Sequence, residues 1–472
     1  MMKKTPPKAH LVGIKGVAMT ALAVYLKEKG YLVTGSDVEE KFSTDPILDQ
    51  IGIRVLHGFA PQHINKDINL VVVTGAHGGA TNPEALQAKK MQIPTFMHGR
   101  YLGMLMNDKF GIAVSGCHGK TSTASMIALI LKEAGYDPSY SIGTAFINNI
   151  GPAGHYGQGK FFIAEADEYM TCPLTDRTPR FLWLNPKIAV ITNIEFDHPD
   201  SFSDLAEVKK AYLDFSQKLD YRGTLIVCLD NPVVADMIDK FKSSRVITYG
   251  FSPTSDYRIE KYFQSGKTSF VAIESKNIRL GELIINVAGR HNLLNALAAS
   301  IIAQEVGLPW NKIREYLKKY TGCNRRFELI GQKNNILLYD DYAHHPSEIK
   351  ATLSAFKDWY PDYRLTVIFQ PHTFSRTKIL LEEFVSSFIK ADDVLIADIF
   401  PSAREKFDKS INSLDVVAGI NRLRNNAYYV KNQITALKLL KNKLTAQNII
   451  VTMGAGNLNK WHPSILNLLK EQ

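Results

Sequence analysis

Short apolar runs alternate with stretches of helical periodicity along most of the chain. Near the N-terminus the apolar runs fall at 10–13, 31–36 and 70–74, and helical spacing covers 17–29 and the region near 45–51. Repeated alternation of this kind predicts parallel strands joined by crossover helices. A second series begins with an apolar run at 110–114, then a glycine-bracketed turn, then a helix from about residue 121 whose segment 124–131 reads as amphipathic. Further strands are expected at 161–164, 188–192 and 224–228, and the stretch 246–287 shows β-rich alternation. A third series opens after Gly322 with strands at 336–339, 365–369, 393–398 and 449–453, most of them followed by helical spacing. The pattern predicts an α/β protein of three domains. A Rossmann-like unit is expected over 1–107, a P-loop ATPase-like unit over 108–321 and a second Rossmann-like unit over 322–472.

Length agrees with this division, because 472 residues exceed what one ordinary core holds. Hydrophobic content of 45% and charged content of 22% are those of a globular protein. The net charge of +10 suits an acidic ligand, but the basic residues are spread along the chain and form no block. Nucleotide phosphates explain that balance as well as nucleic acid does, and no nucleic-acid partner is expected. The four cysteines show no C-x-x-C spacing and are too sparse for a disulfide framework, which fits a reduced cytoplasm. Lys3 and Lys4 before an apolar stretch could imitate a signal peptide. Pro6, Pro7 and Lys15 interrupt it, and Gly13 and Gly16 fit a strand-turn-helix better. No run approaches eighteen uninterrupted apolar residues, so no membrane span is expected.

The turn V-S-G-C-H-G-K-T-S-T at 114–123 carries the clearest chemistry. Gly116 and Gly119 let successive backbone N–H groups and a helix N-terminus face one anion, with Lys120 adding charge. Thr121 offers a hydroxyl to a magnesium ion. The generic loop has its first glycine where Val114 stands, so that pattern is partly met. Acidic groups follow two other predicted strands, E-A-D-E at 165–168 and T-N-I-E-F-D-H at 192–198. Open α/β sheets bind ligands at such carboxyl ends, and Glu165 with His198 could hold Mg²⁺. A solvated acidic loop and a structural histidine are the plainer alternatives.

G-R-H-N-L-L-N-A at 289–296 sets Asn292 and Asn295 on one helical face, where amides could pair with an adenine edge. Helix capping by Asn292 is equally open from spacing alone. N-R-R-F at 324–327 places guanidinium groups at the start of the third unit, fit for phosphate or for an interdomain ion pair. D-D-Y-A-H-H-P at 340–346 and F-Q-P-H-T-F-S-R at 369–376 crown two further strands and together suggest one cleft. The turn G-I-K-G-V-A-M at 13–19, with Asp37 after the next strand, supports nucleotide binding or an ordinary βα turn.

In this order, the motifs resemble the Mur ligases, the ATP-dependent amide-forming family of peptidoglycan precursor synthesis, over nearly the whole chain. The last motifs, with D-I-F-P-S-A-R-E at 398–405 and T-M-G-A-G-N at 452–457, are most similar to the branch that adds L-alanine to UDP-N-acetylmuramate. The family loop reads G-T-H-G-K-T-T, and here Cys117 and Ser122 replace threonines. The long stretch at 168–181 is similar to the branch that attaches a recycled tripeptide, which is the alternative.

The resemblance implies ATP and Mg²⁺, a cytoplasmic enzyme, and a monomer or homodimer. It implies nucleotide contacts from Gly116, Cys117, His118, Gly119, Lys120, Thr121 and Ser122, and Mg²⁺ held by Thr121, Glu165 and His198. Asn292 and Asn295 would contact adenine, Asp341 the ribose and Arg326 the transferred phosphate. His344 and Arg376 would orient the amino acid, and Gly13, Gly16 and Asp37 the sugar nucleotide. A folate-type polyglutamate ligase shares the central unit but lacks the N-terminal one. An oxidoreductase rests on the Gly13 turn alone, and a non-enzymatic scaffold leaves the strand-end carboxylates idle.

Overall fold

The fold was taken from a computed structural model, which describes residues 5–264, 268–274, 278–401, 405 and 407–470. Lys3 and Lys4, parts of the β-rich stretch at 246–287, and residues 402–404 of the motif at 398–405 lie outside the described residues. Three large sheets and one two-stranded hairpin organise the described residues.

The N-terminal sheet has five parallel strands in the order Val55–His57, Leu32–Asp37, Lys8–Val12, Leu70–Val73, Thr95–Met97. Strand order reverses beside Lys8–Val12, and a crevice opens at such a switch point. Gly13 follows that strand with φ 79°, and a Cβ there would lie 2.4 Å from Thr74 Cγ2, so only glycine fits.

The central sheet explains why distant motifs converge. The strand Phe110–Ser115 pairs in parallel with Ile188–Ile191 on one side and Phe161–Glu165 on the other. Their carboxyl ends therefore emerge together, delivering the phosphate loop, 165–168 and 192–198 to one edge. The sheet continues on both flanks to ten strands, ending in antiparallel pairs. One of these, Ser139–Ile147 with Gly151–His155, and a separate small hairpin, Met170–Cys172 with Asp176–Pro179, did not stand out as apolar runs. The helix Lys120–Glu133 also differs from expectation. Residues 121–131 are buried all round, because the helix Arg290–Glu305 covers the face that an amphipathic helix would leave to water.

The C-terminal sheet has six strands, five of them parallel, with Glu328–Lys333 antiparallel at one edge. The three units touch one another. A Cβ on Gly154 would lie 1.9 Å from Ala21 O, so the N-terminal helix Val17–Glu28 packs on central backbone. Lys460 Nζ reaches Glu40 at 2.6 Å, joining the C-terminal unit to the N-terminal one. Among the described residues no helix is long and apolar enough to cross a membrane, and all four cysteines are free.

Candidate active site

The loop at 114–123 is built as its glycines require. Gly116 has φ 135° and Gly119, the N-cap of Lys120–Glu133, has φ 80°. A Cβ at Gly116 would lie 1.9 Å from Thr192 Oγ1, and one at Gly119 would lie 2.5 Å from Asn295 Oδ1. The loop is thus held against both the 192–198 segment and the helix that carries the paired asparagines. Asn193 pins it by accepting the His118 N–H at 2.9 Å and donating to the His118 carbonyl at 3.0 Å. Cys117 donates its thiol to the Glu195 carbonyl and accepts the Glu195 N–H, both at 3.2 Å. A thiol that both donates and accepts does what a threonine hydroxyl would do there. Burial pushes it well above the ordinary thiol range, so it is inert.

Lys120 donates to the Gly116 carbonyl at 2.6 Å and to Glu168 Oε2 at 2.9 Å. Burial opposes its charge, but Glu168, Asp167 and Glu165 outweigh burial and raise its pKa. Glu168 is itself held near about 2, where burial alone would raise it, by Lys120 and His198. Thr121 donates its hydroxyl to Glu165 Oε1 at 3.1 Å, and Glu165 Oε2 accepts the Gly143 N–H at 2.7 Å. Burial, then Asp167, raises the pKa of Glu165 against the pull of Lys120. A buried carboxylate beside a hydroxyl, with more negative charge nearby, suits a hard divalent cation, so the donor set fits Mg²⁺. His198 Nε2 lies 3.3 Å from Glu168 Oε1 and its residue has φ 57°, placing it in the same cleft but on the Glu168 side.

Two connected hollows hold the remaining residues. A cavity of about 220 Å³ is lined by Asn292, Asn295, Asp341, Tyr249 and Phe327 together with His118, Gly119 and Ser122. Asn295 donates to Asn292 Oδ1 at 3.1 Å, and Asn292 donates to the Ala288 carbonyl. The helix N-cap is Gly289, so Asn292 does not cap it. Asp341 accepts N–H groups from Phe327 and Ala343, and burial lifts its pKa to about 6 against the pull of Arg326.

A cleft of about 520 Å³ takes in Gly13, Gly16 and Asp37 from the N-terminal sheet, Lys120, Thr121, Glu165 and His198 from the centre, and His344 and Arg376 from the C-terminal unit. Arg326, Glu348 and Gly119 border both hollows. Every expected site residue except Gly116 lines this connected space.

Several of these groups already have partners. Asp37 is buried and accepts the N–H groups of Lys15 and Val38, so it holds the turn. Arg376 Nε donates to Asp197 at 2.8 Å, its Nη1 donates to the His372 carbonyl, and its Nη2 lies 3.4 Å from His198 Nδ1. Arg325, next to Arg326 in the chain, is spent on Asp340 and the carbonyls of Gly454 and Gly456. His344 Nδ1 lies 3.0 Å from the Tyr342 carbonyl and donates to it, leaving Nε2 as the acceptor. Burial keeps this ring neutral, with a pKa of about 3.

Sequence reasoning missed Glu348. It is the N3 residue of a capping box at the start of Pro346–Trp359, with His345 at the N-cap. The spacing H-x-x-E signals a helix start, but nothing local shows that Glu348 also meets His118 Nδ1 at 3.2 Å and Arg326 Nη1 at 3.4 Å. With Glu195 3.4 Å from its Nε2, His118 sits between two carboxylates from different domains. Burial disfavours its charge, but Glu348 and Glu195 prevail and raise its pKa to about 10. An unfolded histidine titrates near 6.5. The stabilisation is therefore complete below about pH 6.5 and is lost as pH rises through about 10. The gap in Tm between the wild type and His118→Gln should narrow steadily over that interval in thermal melts, and a constant gap would remove the ion pair from the account.

Family sequence models match in three consecutive pieces: "Mur ligase family, catalytic domain" over residues 8–110, "Mur ligase middle domain" over 114–303 and "Mur ligase, glutamate ligase domain" over 325–456. A UDP-N-acetylmuramate–L-alanine ligase of Geobacter sp. is 39% identical over 98% of both chains. Among solved structures, the UDP-N-acetylmuramate–alanine ligase of Thermotoga maritima superposes with a TM-score of 0.81 at 24% identity, covering 98% of this chain and 99% of its own. A murein peptide ligase of Psychrobacter arcticus superposes with a TM-score of 0.74 at 25% identity over 98% of both chains.

Proposed function

The chain belongs to the Mur ligase family, and from that premise we propose that it joins L-alanine to the carboxylate of UDP-N-acetylmuramate, converting ATP to ADP and phosphate. The observation that carries this reading is the position of Arg326, at the junction of the asparagine-lined cavity and the cleft that runs to the N-terminal sheet. A nucleotide in the first and a sugar carboxylate in the second would meet beside one guanidinium. Residues 1–107 hold the sugar nucleotide, 108–321 the ATP and 322–472 the amino acid. A cytoplasmic reaction is the reading that nucleotide substrates and free cysteines support.

A carboxylate is a poor electrophile, so phosphorylation comes first and the amine then displaces phosphate from the acyl phosphate. The protein contributes alignment and charge neutralisation. Lys120 and the backbone N–H groups of the loop bind the terminal phosphates, and Arg326 meets the group in transfer. Bound Mg²⁺, held by Thr121 and Glu165 with His198 nearby, would offset phosphate charge. Asn292 and Asn295 hold the adenine, and Asp341 the ribose. An amino acid enters as an ammonium ion and must lose a proton before it attacks. That proton goes to solvent, because burial makes His344 too weak a base to hold it. His344 is neutral and presents Nε2 as an acceptor, so it orients the amine by accepting a hydrogen bond from it.

Phosphate release by the purified protein with ATP, Mg²⁺ and UDP-N-acetylmuramate tests the assignment. Release should depend on L-alanine and exceed that with glycine, L-serine or the tripeptide L-alanyl-γ-D-glutamyl-meso-diaminopimelate. Preference for the tripeptide would transfer the enzyme to the recycling branch.

A further inference from the structure

Two imidazoles and a carboxylate meet where the central and C-terminal units abut, and the ligase mechanism uses none of the three as a metal ligand. His118 comes from the phosphate loop, Glu195 from the turn after Ile188–Ile191, and His345 from the N-cap of Pro346–Trp359. One donor atom from each lies within 4.8 Å of the others. Glu195 Oε2 is 3.4 Å from His118 Nε2 and 3.6 Å from His345 Nδ1. A tetrahedral ion with bonds of about 2.1 Å has edges of about 3.4 Å between its ligand atoms. The histidine rings lie 4.9 Å apart. His345 is only 5% exposed, and its Nε2 is buried without a hydrogen bond. Buried polar atoms seldom go unpaired without a reason.

We propose that His118, Glu195 and His345 form a binding site for a borderline transition-metal ion of the Zn²⁺ class, separate from the Mg²⁺ site at Thr121 and Glu165. Two imidazole nitrogens and one carboxylate suit Zn²⁺ or Co²⁺, whereas Mg²⁺ takes oxygen ligands and keeps its waters. Water completes the tetrahedron. Two ligands belong to the central unit and one to the C-terminal unit, so the ion ties the domains together. The proton of His118 competes for the same place, since it lies between Glu195 and Glu348 with His345 and His291 close by. Binding exchanges that proton for the ion, and the released proton goes to solvent.

The test is Zn²⁺ binding to the full chain in excess Mg²⁺, followed by competition with a chromophoric chelator. One tight equivalent is expected. His345→Asn keeps a side-chain acceptor at the N-cap but removes the imidazole, and should weaken binding by about 100-fold or more. Glu195→Gln should do likewise. Co²⁺ in the wild type should show the intense visible absorption of a tetrahedral ion. Unchanged affinity in both variants, a weak octahedral Co²⁺ spectrum, or loss of binding only in Glu165→Gln would overturn the proposal.

Discussion

Lys120→Ala lowers ATP-dependent amide formation by at least about 10³-fold while leaving UDP-N-acetylmuramate affinity nearly unchanged. Preorganised charge at a phosphoryl group is worth that much in a water-poor site, and the sugar nucleotide, in the proposed assignment, is held mainly by another unit. The same substitution strands Glu168, which is 2% exposed and would lose the Lys120 ammonium 2.9 Å away. Some loss of Tm is therefore expected with the loss of turnover. The double variant Lys120→Ala/Glu168→Gln separates the two, because a neutral amide no longer needs the lysine. Its Tm should recover and its turnover should not. Wild-type phosphate release by Lys120→Ala would dismiss the loop as the ATP site.

Arg376→Ala is expected to destabilise the closed arrangement by about 3–5 kcal/mol, the usual cost of stranding one member of a buried ion pair. Arg376 and Asp197 are each 3% exposed and meet at 2.8 Å across the central and C-terminal units. Burial would raise the pKa of Asp197, but Arg376, then His198, hold it well below the ordinary carboxylate range. If the arginine served only as a receptor for the amino acid carboxylate, the L-alanine KM would rise and Tm would stay. The existing contacts predict that both change and that kcat falls, since closure assembles the site. Arg376→Lys should recover part of the Tm and little of the activity. An ammonium cannot serve Asp197, His372 and His198 together as the planar fork does. Thermal melts alongside initial rates over an L-alanine series decide it, and an unaltered Tm in Arg376→Ala would refute the latch.

How much was legible depends on the distance over which each feature is decided. The run 110–123 fixed its own strand, turn and helix, because glycine is needed at φ 135° and 80° and the code for that is local. Alternating runs also implied parallel sheets, and parallel strands put their following loops on one edge. That is why the meeting of 116–121, 165–168 and 192–198 follows from strand direction alone. The hairpins at 139–155 and 170–179 were not legible, since their short mixed strands owe their place to neighbours and not to a strong apolar pattern. Burial of the helix Lys120–Glu133 on every side likewise depends on a helix that begins at Arg290.

The sequence by itself determined the three α/β units, the glycine loop at 114–123 and the motif order that marks the family, all set by local backbone preference and strand direction. Only the tertiary structure decided which charges meet across units. Arg376 and Asp197 stand 179 residues apart, and Ser347 and Glu195, which share a hydrogen bond, stand 152 apart. Such pairs form only after the sheets have docked, and burial then sets their protonation. No local pattern could show that His118 is charged between Glu195 and Glu348 while His344, four residues before Glu348, is neutral.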